Sequence, residues 1–188
     1  IAFDGPAAAV LHDYVASTTA TVSSISLELR SDRYGSQKLV ASGFSVVDAH
    51  GVRQNVLRSG GDYTFVVECR KRTAVECLKG VNTCIELKDA RNVTVWLAAS
   101  SFTRQSFTVE DDEIFIRCSV RDLNLATGSY SVTVFLSQGE HEVFDCIHDA
   151  ATLTVAGGDY FGTGSPGLPD HCRTLTRVEW RASRAGGP

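Results

Sequence analysis

The feature that most constrains this chain is a two-residue rhythm of apolar and polar side chains, recurring along most of its length without a comparable stretch of helical periodicity. Between residues 62 and 70 the rhythm is cleanest: Tyr63, Phe65, Val67 and Cys69 alternate with Thr64, Val66, Glu68 and Arg70. An extended chain points successive side chains to opposite sides, so this pattern predicts a strand with one buried face. Residues 113–120 repeat it, with Ile114, Ile116, Cys118 and Val120 inward and Phe115, Arg117 and Ser119 outward. Residues 130–136 do the same, burying Tyr130, Val132, Val134 and Leu136 and exposing Ser131, Thr133 and Phe135. Further runs at 21–29, 39–47 and 152–155 extend the series, the second ending in the turn formers Asp48 and Gly51. Residues 81–87 and 93–97 flank a turn whose Asn92 tolerates a left-handed backbone, which predicts a hairpin. If Val93, Val95 and Leu97 point inward in its second arm, then Thr94, Trp96 and Ala98 point outward.

About eight short strands with no strand–helix alternation predict an all-β, antiparallel two-sheet sandwich of the immunoglobulin-like kind. Only residues 6–15 hint at a helix. At 188 residues the chain holds one sizeable core. The organisation follows as a lead-in at 1–20, the sandwich at 21–156, and a tail at 157–188. In that tail a glycine-rich connector leads to one further strand at 175–180. The chain opens on Ile1 and contains no Met, so it is expected to be a piece of a longer protein.

A formal net charge of -4 disfavours a general electrostatic grip on nucleic acid or an anionic membrane. The locally basic Arg173, Arg177, Arg181 and Arg184 read as a solvated strand edge and tail. No apolar run approaches the ~20 residues a membrane helix needs. The six cysteines show no CxxC pair, which speaks against structural zinc, and Cys69 and Cys118 fall at inward strand positions where Cys acts as a small hydrophobe. Free thiols are therefore expected. The sequon at Asn92 and the even cysteine count keep a secreted, disulfide-bonded module open as the alternative.

Catalytic patterns are missing: there is no phosphate-binding GxxxxGK[ST], no GxSxG and no HExxH. His141, Asp145, His148 and Asp149 carry metal-ligand chemistry, but they read as solvated loop residues before a final strand. Asp111 and Asp112 are adjacent and point apart, unlike the facing carboxylates of a glycosidase. No enzyme activity, cofactor or metal is expected.

A series of turns and strands carries a resemblance. It comprises the strand and Asp-x-x-Gly turn at 44–51, Ser59-Gly60-Gly61-Asp62-Tyr63, and Leu123 followed by Gly128 and Tyr130. It closes with Asp149-Ala150, Leu153-Thr154-Val155 and Gly158-Asp159-Tyr160-Phe161-Gly162-Thr163-Gly164. In order and spacing these segments, spanning about 26–182, resemble the C-terminal polysaccharide-binding domain of the Wzt-type nucleotide-binding subunit of bacterial O-antigen ABC exporters. The chain departs from that pattern at Leu153, often Phe in the family, at Asn92, usually Gly, and in its six cysteines. The resemblance implies an immunoglobulin-like sandwich that binds O-antigen polysaccharide, tethered to an ATPase domain beyond this chain. It implies a cytoplasmic place at the inner membrane, a membrane subunit as partner, and a homodimer formed by exchange of the last strand.

The glycan-binding residues come from the alternation alone. Sugars stack on aromatic faces and hydrogen-bond to charged, hydroxyl and amide groups. Outward-facing Trp96, Phe135, Thr133, Arg117 and Glu86 supply such a set. For Trp96 the competing role is to cover a sheet edge or contact a partner chain.

Overall fold

The computed structural model describes residues 25–74 and 77–181. The helix expected at 6–15, and residues 21–24 of the strand expected at 21–29, lie outside them; of 25–29 only Ile25–Ser26 is strand. The described residues form two sheets. Strands β1 (Ile25–Ser26), β3 (Leu39–Asp48), β5 (Tyr63–Lys71) and β9 (Glu113–Val120) make a four-stranded sheet in the order β1-β3-β5-β9. A larger sheet runs β2-β11-β10-β6-β7. Its members are β2 (Arg33–Tyr34), β11 (Glu142–Gly158), β10 (Gly128–Gln138), β6 (Leu78–Lys88) and β7 (Thr94–Ala99). Two short strands lengthen this sheet: β4 (Val56–Ser59) pairs parallel with β11, and β8 (Phe107–Val109) pairs antiparallel with β6. The only helical turn among the described residues is a 3-10 turn at Ser100–Thr103. No helix among them is long and apolar enough to cross a membrane.

The inner faces meet in one continuous core. Phe44, Phe65, Val67 and Ile116 from the smaller sheet pack with Ile85, Leu87, Val132, Val134, Leu136, Ile147 and Leu153 from the larger. Alternation gives these strands their inner faces as the sequence predicts. Sheet burial of this kind, at about 25 cal/mol per Å² of apolar surface, dominates the stability of the fold.

Three expectations change. First, β7 has the opposite orientation. A bulge at Val95 shifts the register, so Trp96 stands opposite the core residue Leu87 and Leu97 opposite Glu86. Trp96 packs edge-on against Phe65, with ring centroids 5.4 Å apart, while Leu97 faces out. One extra residue turns every later side chain to the other face. Second, the polar residues around 141–149 are no loop before a short strand: β11 runs through them for 17 residues. Asp145 is buried and forms an ion pair with Arg33 at 3.0 Å. Third, residues 175–180 form no strand within the chain. Thr174 bridges Leu125, Leu175 is buried, and beyond it Val178 and Trp180 are exposed, Trp180 at 92%.

Candidate functional site

The outer face of the larger sheet carries three of the five residues expected to contact glycan. On β10, Thr133 and Phe135 alternate to the outer face between the core residues Val132, Val134 and Leu136, Phe135 half-buried and Thr133 buried there. Across the β10–β6 ladder Thr133 pairs with Glu86 and Phe135 with Cys84. Cross-strand partners share a face, so Glu86, Thr133 and Phe135 lie together. Glu86 accepts a short hydrogen bond from the Thr94 hydroxyl and is paired with Lys88 at 3.6 Å. The other two expected residues lie elsewhere. Trp96 belongs to the core, and Arg117 sits on the outer face of the smaller sheet, its guanidinium 5.7 Å from the Phe115 ring centroid.

Residues that the alternation did not mark complete the face. On β2, Tyr34 pairs with Cys146 of β11, which pairs in turn with Phe135. The row across the sheet is thus Tyr34, Cys146, Phe135, Cys84 and Ala99. The Tyr34 hydroxyl is hydrogen-bonded to the Cys146 thiol, and this bond, with burial, pushes the phenol up. His148 is exposed beside them. Its Nδ1 lies 3.4 Å from the Thr133 hydroxyl and its Nε2 3.9 Å from Cys146 Sγ, and its ring centroid is 6.1 Å from that of Tyr34. His148 reaches this face because β11 bulges opposite Thr133: the register shifts between Val132 and Val134, and Asp149 takes a left-handed φ of 49°.

The groups on this face can hydrogen-bond and stack. Burial pushes the Cys84 thiol up to about 11 and raises Cys146 as well, so both stay protonated at neutral pH and are poor nucleophiles. No disulfide joins the six cysteines, and no group of three or more His, Cys, Asp or Glu among the described residues could hold a metal. Hydroxyls, one carboxylate, one imidazole and two aromatic rings form a shallow mixed surface.

The smaller sheet offers a second polar groove. Arg70 bridges Glu28 and Glu113, Glu68 is paired with Arg53, and Phe115 is half exposed beside them. Each of its carboxylates has an ion-pair partner within the chain, Arg70 being shared between Glu28 and Glu113.

The family model of the Wzt C-terminal domain matches residues 30–168. No curated protein matches the sequence significantly. Among solved structures, the crystal structure of the C-terminal domain of wzt aligns with a TM-score of 0.64 at 16% identity, covering 82% of this chain and 90% of that one. At that identity the likeness shows the fold. A beta-glucuronidase from glycoside hydrolase family 2 aligns over 60% of this chain and 11% of its own, at 13% identity and a TM-score of 0.42, too weak to carry an argument.

Proposed function

The chain belongs to the Wzt C-terminal domain family, and on that premise we propose that it is a non-catalytic domain that binds O-antigen polysaccharide during export by an ABC transporter. The observation that carries this reading is the outer face of the larger sheet. There Phe135, Thr133 and Glu86 meet on adjacent strands and combine an apolar ring with hydroxyl and carboxylate groups, the set a sugar requires. ATP hydrolysis belongs to another domain of the full-length protein, which places this one on the cytoplasmic side of the inner membrane beside a membrane subunit.

In this reading the domain works as a homodimer in which the segment after Leu175 completes the partner's sheet. One feature supports the exchange: Val178 and Trp180 are exposed just beyond the point where Thr174 and Leu175 are held on their own chain. Light scattering on the chain truncated after Arg177 tests it. A monomer is the expected result, and an undiminished dimer removes the exchange.

Binding is tested by an array of O-polysaccharides that includes the one from the source strain. Selective retention of that glycan, weakened by Phe135→Ala and Glu86→Gln, is expected. Equal retention of all glycans, or of none, sinks the proposal.

A further inference from the structure

We propose that the polysaccharide crosses the larger sheet transverse to its strands, stacking first on an aromatic rim made by Tyr34 and His148 and then on Phe135. This rests on the glycan-binding reading above and adds to it the stacking stations and the direction of the polymer.

The spacing comes from the ladder. Tyr34 and Phe135 are both cross-strand neighbours of Cys146. With strands about 4.8 Å apart, the two rings stand about 10 Å from each other over a buried thiol floor. Along the strands no such pair exists: the outward neighbours of Phe135 on β10 are Thr133 and Ser137, both small. A polymer following a strand would meet one ring, whereas one crossing the strands meets two in succession.

The rim is held by more structure than a two-residue strand needs to survive. Arg33, next to Tyr34, runs into the core, where its guanidinium pairs with Asp145 and donates to the carbonyls of Leu27 and Ala41. Gly35, on the other side, lies so close to β11 that a Cβ would stand 2.5 Å from the Phe144 carbonyl oxygen, and its φ of +126° excludes other residues. The β11 bulge is gripped as well. Arg30 donates to the carbonyls of His148 and Asp149, each at 3.0 Å, and is itself fixed by Asp32, whose carboxyl is held down at about 2 by that contact. Yet the Tyr34 ring so anchored is 52% exposed. Rigid aromatic surface of this kind loses little conformational entropy on binding.

The face also selects its occupant. Glu86 is matched by Lys88 and Asp32 by Arg30, so neither of these carboxylates waits for an oppositely charged partner. Ser131 and Thr152, a cross-strand pair on the same face farther along β10 and β11, offer hydroxyls beside the Phe135 end of the row, where a protein-docking face would offer a contiguous apolar centre. A neutral polyhydroxylated chain fits both properties.

The test uses O-polysaccharide released from the lipopolysaccharide of the source strain, together with short oligosaccharides made from it by partial hydrolysis, titrated calorimetrically. Tyr34→Ala and Phe135→Ala are each expected to weaken polymer binding roughly tenfold, the scale of one good aromatic contact, and the double variant about a hundredfold. Tyr34→Phe keeps the ring and stays within about twofold of wild type, while His148→Ala loses several-fold. With a fragment too short to span both rings, the two losses no longer multiply. Thermal melts accompany each variant, and should Tyr34→Ala melt early, His148→Ala and Tyr34→Phe carry the comparison. Full polymer affinity in Tyr34→Ala and His148→Ala, with weakened binding in Phe135→Ala or Glu86→Gln, overturns the rim and leaves the glycan-binding face. Unchanged affinity in all of them, or no binding by the wild type, overturns both.

Discussion

Replacing Asp145 by Leu removes the carboxylate that neutralises Arg33 inside the sandwich, where the two side chains are 1% and 2% exposed. The guanidinium then stays buried without a counter-charge, and the Ala41 N–H, which donates to the same carboxylate at 2.8 Å, loses its acceptor. Breaking one side of a buried pair costs about 3–5 kcal/mol. A domain of this size has about 5–15 kcal/mol in total. With a urea dependence of about 2 kcal/mol per M, a loss of about 4 kcal/mol lowers the midpoint by roughly 2 M. Asp145→Asn retains an oxygen for Ala41 and should lose about half as much. The pair Arg33→Met with Asp145→Leu should be milder than Asp145→Leu alone, because it leaves no uncompensated charge. Urea melts followed by the fluorescence of Trp96 give all three midpoints. A shift below about 0.5 M for Asp145→Leu, or a double variant weaker than the single, would refute the view that this ion pair fastens β2 into the sandwich.

Trp96→Ala should lower stability by about 3 kcal/mol through the lost contact with Phe65 and the core, measured by urea melts followed by circular dichroism; intact stability with lost glycan binding would place Trp96 outward after all. Asp89 accepts the backbone N–H groups of Arg91 and Val93, which holds its carboxyl below the usual range. That contribution is present above about pH 4 and is lost as pH falls through the lowered value, so Asp89→Asn should weaken the fold at pH 7 and match wild type in acid melts. Thiol titration of the native chain should modify exposed Cys172 first and buried Cys69, whose thiol is raised by desolvation, last, with six thiols counted in denaturant; none would favour the disulfide-bonded module.

Alternation made the inner faces of β5, β9 and β10 legible, and with them the outward placement of Phe135, Thr133 and Arg117. It failed at β7, where both faces of Thr94-Val95-Trp96-Leu97-Ala98 are apolar enough to be buried and a bulge, invisible in the sequence, decides between them. Adjacency between strands was equally hidden. Arg117 and Phe135 both face outward, but from different sheets, and period two carries no information about which sheet a strand joins. Tyr34 was out of reach for another reason: its strand is two residues long, too short to show any period, and its partner Cys146 is 112 residues away. His148 was visible only as a metal-ligand type, because a strand was not expected to run through Asp145 and Asp149. The contrast has a physical basis. A half-buried strand writes its orientation into consecutive side chains, whereas a binding rim built from a bulge and a two-residue strand is specified by the contacts that hold it. In this chain those contacts are a buried arginine, a glycine pressed on a neighbouring backbone and a guanidinium capping two carbonyls, each joining segments distant in sequence.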